Sequence, residues 1–198
     1  YGGAIPSVCH PFGGGRPTAD IGCRSYDPAE AKALLASVAG PIRLECLHSN
    51  TQRGAEQGQL LQQFGKQVGI EITPLGLAFG PVVKKVLTKD YQVSTWRIPP
   101  WPDQGPYLYA AFHSQSRHNV TGYSNPRMDE LLEAQRRATD PAKREALLTE
   151  IAALINADAP ILYRGGRRFH LLASPAVKGI GAMQEGVVSF AETWIETD

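Results

Sequence analysis

Between Asp27 and Trp96 the hydrophobic repeat switches back and forth between a helical and a strand period, and this alternation narrows the fold most. Asp27-Pro28-Ala29-Glu30 places a capping carboxylate before a proline at the first helical position and an acid in the first turn. Ala31, Leu34, Leu35 and Val38 follow at helical spacing until Gly40-Pro41 stops the run. Ile42, Leu44 and Cys46 then alternate with Arg43 and Glu45, the period of a strand. The pattern over 53–68 predicts a second helix with Leu60, Leu61, Phe64 and Val68 on its inward stripe, ended by Gly69. Ile70, Ile72 and Leu75 predict the next strand. Pro81 opens a short helix through Val82, Val83, Val86 and Leu87, and Tyr91 to Trp96 predicts a third strand. Strand, helix, strand, helix, strand implies parallel strands with right-handed crossovers, so the predicted class is α/β with a largely parallel sheet flanked by helices.

Beyond Trp96 the pattern changes. Residues 97–124 form a long connection rich in Pro, Trp, Tyr and His, and such connections are usually functional or carry short structure of their own. Asn125-Pro126 starts a helix with Met128, Leu131 and Leu132 inward. Asp140-Pro141 starts another with Leu147, Ile151, Leu154 and Ile155 inward. Ile161–Tyr163 and Phe169–Leu172 read as strands, and Phe190, Trp194 and Ile195 form a last apolar cluster. The expected organisation is a lead-in over 1–25, an α/β lobe over 26–180, and a C-terminal segment over 181–198.

Composition removes several classes of function. A chain of 198 residues supports one substantial core. Twenty basic against nineteen acidic residues, without a long basic run, argue against a nucleic-acid binder. No run approaches the roughly 18 apolar residues of a membrane-spanning helix. The sequence opens on Tyr1, so we read it as a processed or excised piece, and the missing signal segment says nothing against export. Cys9 and Cys23 flank Gly13-Gly14-Gly15; a bridge there would stabilise by about 3 kcal/mol in the chain-entropy view, against the alternative of three free thiols. Cys46 lies on a strand-like segment as a buried small side chain.

Chemistry-bearing motifs are sparse. Gly13-Gly14-Gly15-Arg16 lacks the Gly-Lys-Ser/Thr ending and the preceding strand of a phosphate loop. No Gly-x-Ser-x-Gly elbow and no His-Glu-x-x-His occurs. His113 and His118 would need Asp103 or His170 as further metal ligands, and we expect neither metal nor cofactor. Asn119-Val120-Thr121 has the form of a glycosylation acceptor but is read as a loop pair making local backbone hydrogen bonds. No spacing sets a nucleophile beside a base, and we expect no enzyme activity.

Four segments, in order, resemble one family. Residues 26–36 (YDPAEAKALLA) match its Y-D-P-x-x-A-K-x-L-L helix, and 90–96 (DYQVSTW) match its D-Y-D…W strand. Residues 119–132 (NVTGYSNPRMDELL) match N-x-x-G-Y-x-N-P-x-x-D-x-L-L, and 139–163 resemble D-x-x-x-R-x-x-L-x-x-x-I-x-x-x-L-x-x-D-A-P. The sequence thus resembles the C-terminal portion, mostly the second lobe, of the family-5 extracellular solute-binding proteins of ABC importers. That resemblance implies a periplasmic binding protein-like lobe that acts with a missing N-terminal lobe. It implies a small peptide-like or anionic solute, ABC permease subunits as partners, and a location in the periplasm or on the outer face of the cytoplasmic membrane of a bacterium. A signalling or chaperone-like module on the same fold, or an unrecognised enzyme, stays open.

The expected ligand-binding residues are Trp96, Arg97, Pro99, Trp101, Asp103 and Tyr107. By resemblance, peptide binders place an amine-pairing aspartate where this chain has Pro99, which shifts the expected cargo away from ordinary free-amino peptides. Arg97 suits a carboxylate, or else faces solvent or a neighbouring acid. Trp96 and Tyr107 either wall the ligand or serve the core strand and the following helix. Asp27, Asn125, Asp129 and Asp140 are expected as structural groups at helix N-termini.

Overall fold

The computed structural model describes residues 21–96, 103–163, 171–181 and 188–197. The chain divides into two compact units. Described residues of Ser25–Arg97 and Gln115–Tyr123 form the sheet unit, and those of Tyr1–Arg24, Ile98–Ser114 and Ser124–Asp198 form the helical unit.

In the sheet unit, Asp27 starts α1 (Pro28–Leu35) by accepting from the Ala29 and Glu30 N–H groups, each at 2.9 Å. Then come β1 (Ile42–Ser49), α2 (Gln52–Val68), β2 (Ile70–Leu77), α3 (Phe79–Leu87) and a short β3 (Val93–Ser94). The sheet order is β2-β1-β3 and both pairings are parallel, as the alternation of periods predicts. Ile42 stands opposite Ile70 at one end of the β1–β2 ladder and Ser49 opposite Leu77 at the other. Of the third strand expected over Tyr91–Trp96, only two residues pair, Val93 with Cys46 and Ser94 with Leu47. Tyr91 instead packs on the core, and its hydroxyl donates to the Val120 carbonyl at 3.0 Å. Leu47, Val82 and Val86 are buried at the centre of that core.

One expectation is overturned on α2. Its buried residues are Gly54, Gly58 and Gly65, while Leu60 and Phe64 are 49% and 56% exposed and Leu61 and Val68 half-buried. A Cβ on Gly54 would stand 2.0 Å from the Ser49 carbonyl oxygen, and one on Gly58 2.9 Å from the His48 ring. The helix axis therefore approaches the sheet more closely than any side chain allows, and the larger apolar groups are left to one side. The stripe of α1 is likewise uncovered, with Leu34 58% and Val38 48% exposed.

The helical unit follows its caps and stripes. It comprises α4 (Gln104–Phe112), α5 (Pro126–Arg137), α6 (Pro141–Asp158) and an antiparallel ribbon of β4 (Val177–Lys178) with β5 (Trp194–Ile195). Asn125 and Asp140 cap α5 and α6 by accepting from the Arg127 and Lys143 N–H groups. Leu108, Phe112, Met128, Leu131, Leu132, Ile151 and Ile155 are buried, each contributing about 1.5–3 kcal/mol. The inward stripe of α6 is Leu148, Ile151, Ala152 and Ile155; Leu147 and Leu154 are only half-buried. Ile161–Tyr163 forms no strand, nor do Leu171 and Leu172, because among the described residues no neighbouring strand offers them a ladder. Phe169 lies outside the described residues. Phe190, Trp194 and Ile195 are exposed rather than clustered inside.

Candidate functional site

Asp103 opens α4. Its Oδ1 accepts from the Gly105 N–H at 2.9 Å, and Pro106 in the same first turn loses no intrahelical bond by lacking its own N–H. Arg144 on α6 brings Nη2 to 2.7 Å and 2.9 Å from the two Asp103 oxygens. The same nitrogen donates to Gln135 Oε1 at 3.3 Å, and Gln135 is buried. Gly105 makes room for this junction, since a Cβ there would stand 2.5 Å from Arg144 Nη2 and 2.6 Å from Gln135 Oε1. Burial raises the Asp103 pKa, but the Arg144 hydrogen bond and charge and the Gly105 N–H outweigh it. The net shift is downward, and the group is a carboxylate at neutral pH.

Tyr107, one turn into α4, has its phenol pushed up by burial. Burial likewise raises the Tyr163 phenol, with Tyr107 as a second, smaller cause. The Tyr163 hydroxyl is buried without a hydrogen-bond partner among the described residues. Tyr109 stacks on His113 with ring centroids 4.4 Å apart, and the Arg136 guanidinium lies 4.2 Å above the Tyr109 ring.

Other predicted residues act as ties. Asp129 accepts from both the backbone N–H (2.8 Å) and the hydroxyl (2.5 Å) of Ser114, a role beyond the helix-dipole placement expected of it. Asn125 adds to its cap a bond from Nδ2 to Asp158 at 2.7 Å. Asn119 is buried, donating to the Tyr123 carbonyl at 2.7 Å and accepting from Thr121 at 3.1 Å, the local bonding read from the sequence. His113 faces Asp129 with Nδ1 (3.8 Å) and Glu133 with Nε2 (3.6 Å). Its two nitrogens thus address different carboxylates. No group of three or more metal-ligating side chains occurs among the described residues.

Trp96 is 46% exposed and belongs to the sheet unit, whereas Asp103 and Tyr107 belong to the helical unit. Arg97, Pro99, Trp101, His170 and the Gly13–Gly15 run lie outside the described residues. Cys23 is disulfide-bonded, and its expected partner Cys9 lies outside the described residues; Cys46 is buried and forms no disulfide. Sequence reading missed Arg144, Gln135 and Ser114. Arg144 carried only the signal of the D-x-x-x-R helix start, and the others carried none.

No family model and no curated protein matches the chain. Solved structures do. The chain is similar to DppA of Helicobacter pylori, an ABC transporter-associated periplasmic binding protein in complex with the peptide STSA, at TM-score 0.78 and 21% identity; the match covers 98% of this chain and 40% of that one. It resembles the substrate-binding domain of an oligopeptide ABC transporter from Bacillus anthracis at TM-score 0.73 and 19% identity, over 99% and 41% of the two chains. It also resembles MoaA of A. tumefaciens, in complex with mannopinic acid, at TM-score 0.68 and 23% identity, over 80% and 34%. The fold is that of the periplasmic binding proteins. The chain spans about two-fifths of the length of the first two structures.

Proposed function

We propose that this chain is one lobe of a periplasmic binding protein that captures a small solute and delivers it to an ABC-type importer. The observation that carries the reading is a match over 98% of the chain to a periplasmic binding protein, in agreement with the four ordered motifs between 26 and 163. In this reading residues 26–180 make up the lobe, and a second, N-terminal lobe of the same polypeptide supplies the opposite wall. The solute-facing segment runs from Trp96 through Arg97, Pro99 and Trp101 to Tyr107, with Asp103 at the start of α4. The solute is small and peptide-like or anionic, the partners are permease subunits, and the location is the periplasm or the outer face of the cytoplasmic membrane.

No bond is made or broken in this function, and no cofactor is used. Solute contacts with both lobes shift the population towards a closed form, which docks on the permease. The test begins with the natural full-length protein: denaturing extraction followed by mass spectrometry should release a small solute. Calorimetry with that solute should give one-to-one binding to the full-length protein and no measurable heat with this 198-residue chain alone. Tight stoichiometric binding by this chain would overturn the two-lobe reading, and chemical conversion of the solute would overturn the non-enzymatic one.

A further inference from the structure

Residues 96–107 contain a single acid, Asp103, and a single base, Arg97. Within the solute-facing segment proposed above, Asp103 is the one carboxylate that a cationic group could seek. Its two oxygens are already approached at 2.7 Å and 2.9 Å by Arg144 Nη2, and Oδ1 also takes the Gly105 N–H. The guanidinium is held in place, with Gln135 Oε1 accepting from the same nitrogen and Gly105 leaving space that a Cβ would fill. An ammonium arriving at Asp103 meets a neutralised carboxylate and the repulsion of a fixed positive charge.

We propose that Arg144 is a specificity-determining residue of the solute site: by occupying Asp103 it withholds that acid from cationic groups and directs selection towards neutral or anionic solutes. This deepens the solute-binding reading and rests on it. Arg144 acts from α6, 41 residues beyond the acid it holds, and acts through Asp103 rather than on the solute. It is therefore a positioning residue whose effect is read in the ratio of affinities for charged and uncharged forms of one ligand.

The experiment compares tetra-alanine with N-acetyl-tetra-alanine by calorimetry on the natural full-length protein, with the co-purified solute as control. The wild type should bind the blocked peptide at least as well as the free one. Arg144→Gln should shift the ratio about tenfold towards the free amine, the size of a released charge-assisted hydrogen bond. Arg144→Lys, which keeps the charge, should behave as wild type, and Arg144→Gln with Asp103→Asn should lose the gain. Should Arg144→Gln not fold, Arg144→Met keeps the side-chain stem and serves in its place. A wild-type preference for the free amine, an unmoved ratio in the charge-removing variants, or no heat with either peptide would overturn the role of Arg144. If the co-purified solute still binds in those cases, the solute-binding reading stands; if no solute binds at all, that reading falls with it.

Discussion

The sheet unit and the helical unit solve the same packing problem by opposite means. Where α2 meets the sheet, contact is made with glycines, and the backbone comes to rest on the Ser49 carbonyl, the His48 ring and Ile72. Where α4, α5 and α6 meet, contact is made with Leu, Ile, Met and Phe side chains, and the helix starts are bolted by Asn125, Asp140 and the Asp103–Arg144 pair. Close approach of backbone leaves no slack for an added atom. Side-chain packing tolerates more, because rotamers can adjust. The two units should therefore respond differently to equally small changes.

The largest effect is expected at Gly54. Gly54→Ala places a methyl carbon 2.0 Å from the Ser49 carbonyl oxygen, far inside van der Waals contact, which outweighs the better helix propensity of alanine; a loss of about 3 kcal/mol or more is expected in urea denaturation. A loss under about 1 kcal/mol would mean that α2 can lift from the sheet, and the contrast between the units would collapse. Asn125→Ala removes both the cap to Arg127 and the bond to Asp158, and should cost about 1–2 kcal/mol by the same measurement.

Asp103→Asn is expected to act through pH. The folded-state pKa is lowered, so Asp103 stabilises the fold above its unfolded value near 4, and that contribution is lost as pH falls through the lower folded value. The wild-type melting temperature should fall more steeply than the variant's below about pH 4, with a small difference because the carboxylate is half-exposed. Parallel acid limbs would show that the Arg144 pair contributes nothing. Smallest of all, Phe64→Ser should change stability by no more than about 0.5 kcal/mol, since the ring is exposed. A loss of about 2–3 kcal/mol would restore Phe64 to the inward stripe that the periodicity suggests.

Legibility followed the same divide. Every cap that the sequence marked is present: Asp27, Asn125 and Asp140 each accept backbone N–H groups within three residues. Met128, Leu131 and Leu132 were read as core from their spacing and are buried. The face of α2 was misread because glycine carries no hydrophobic signal, so a stripe built from glycines is silent in a periodicity argument. Within the candidate site, Asp103 and Tyr107 stand out in the sequence, but Arg144, which holds Asp103, and Gln135, which accepts from Arg144, do not.

By itself the sequence determined the order of elements from α1 to β3, the capped starts of α1, α5 and α6, and the parallel pairing that alternating strands and helices require. These depend on interactions within a few residues and on the chirality of the crossover. Only the tertiary structure decided which face of α2 turns inward, how little of the third strand pairs, and that Asp103 belongs to Arg144. Each of those joins residues far apart in the chain, at distances set by how closely whole elements settle against one another.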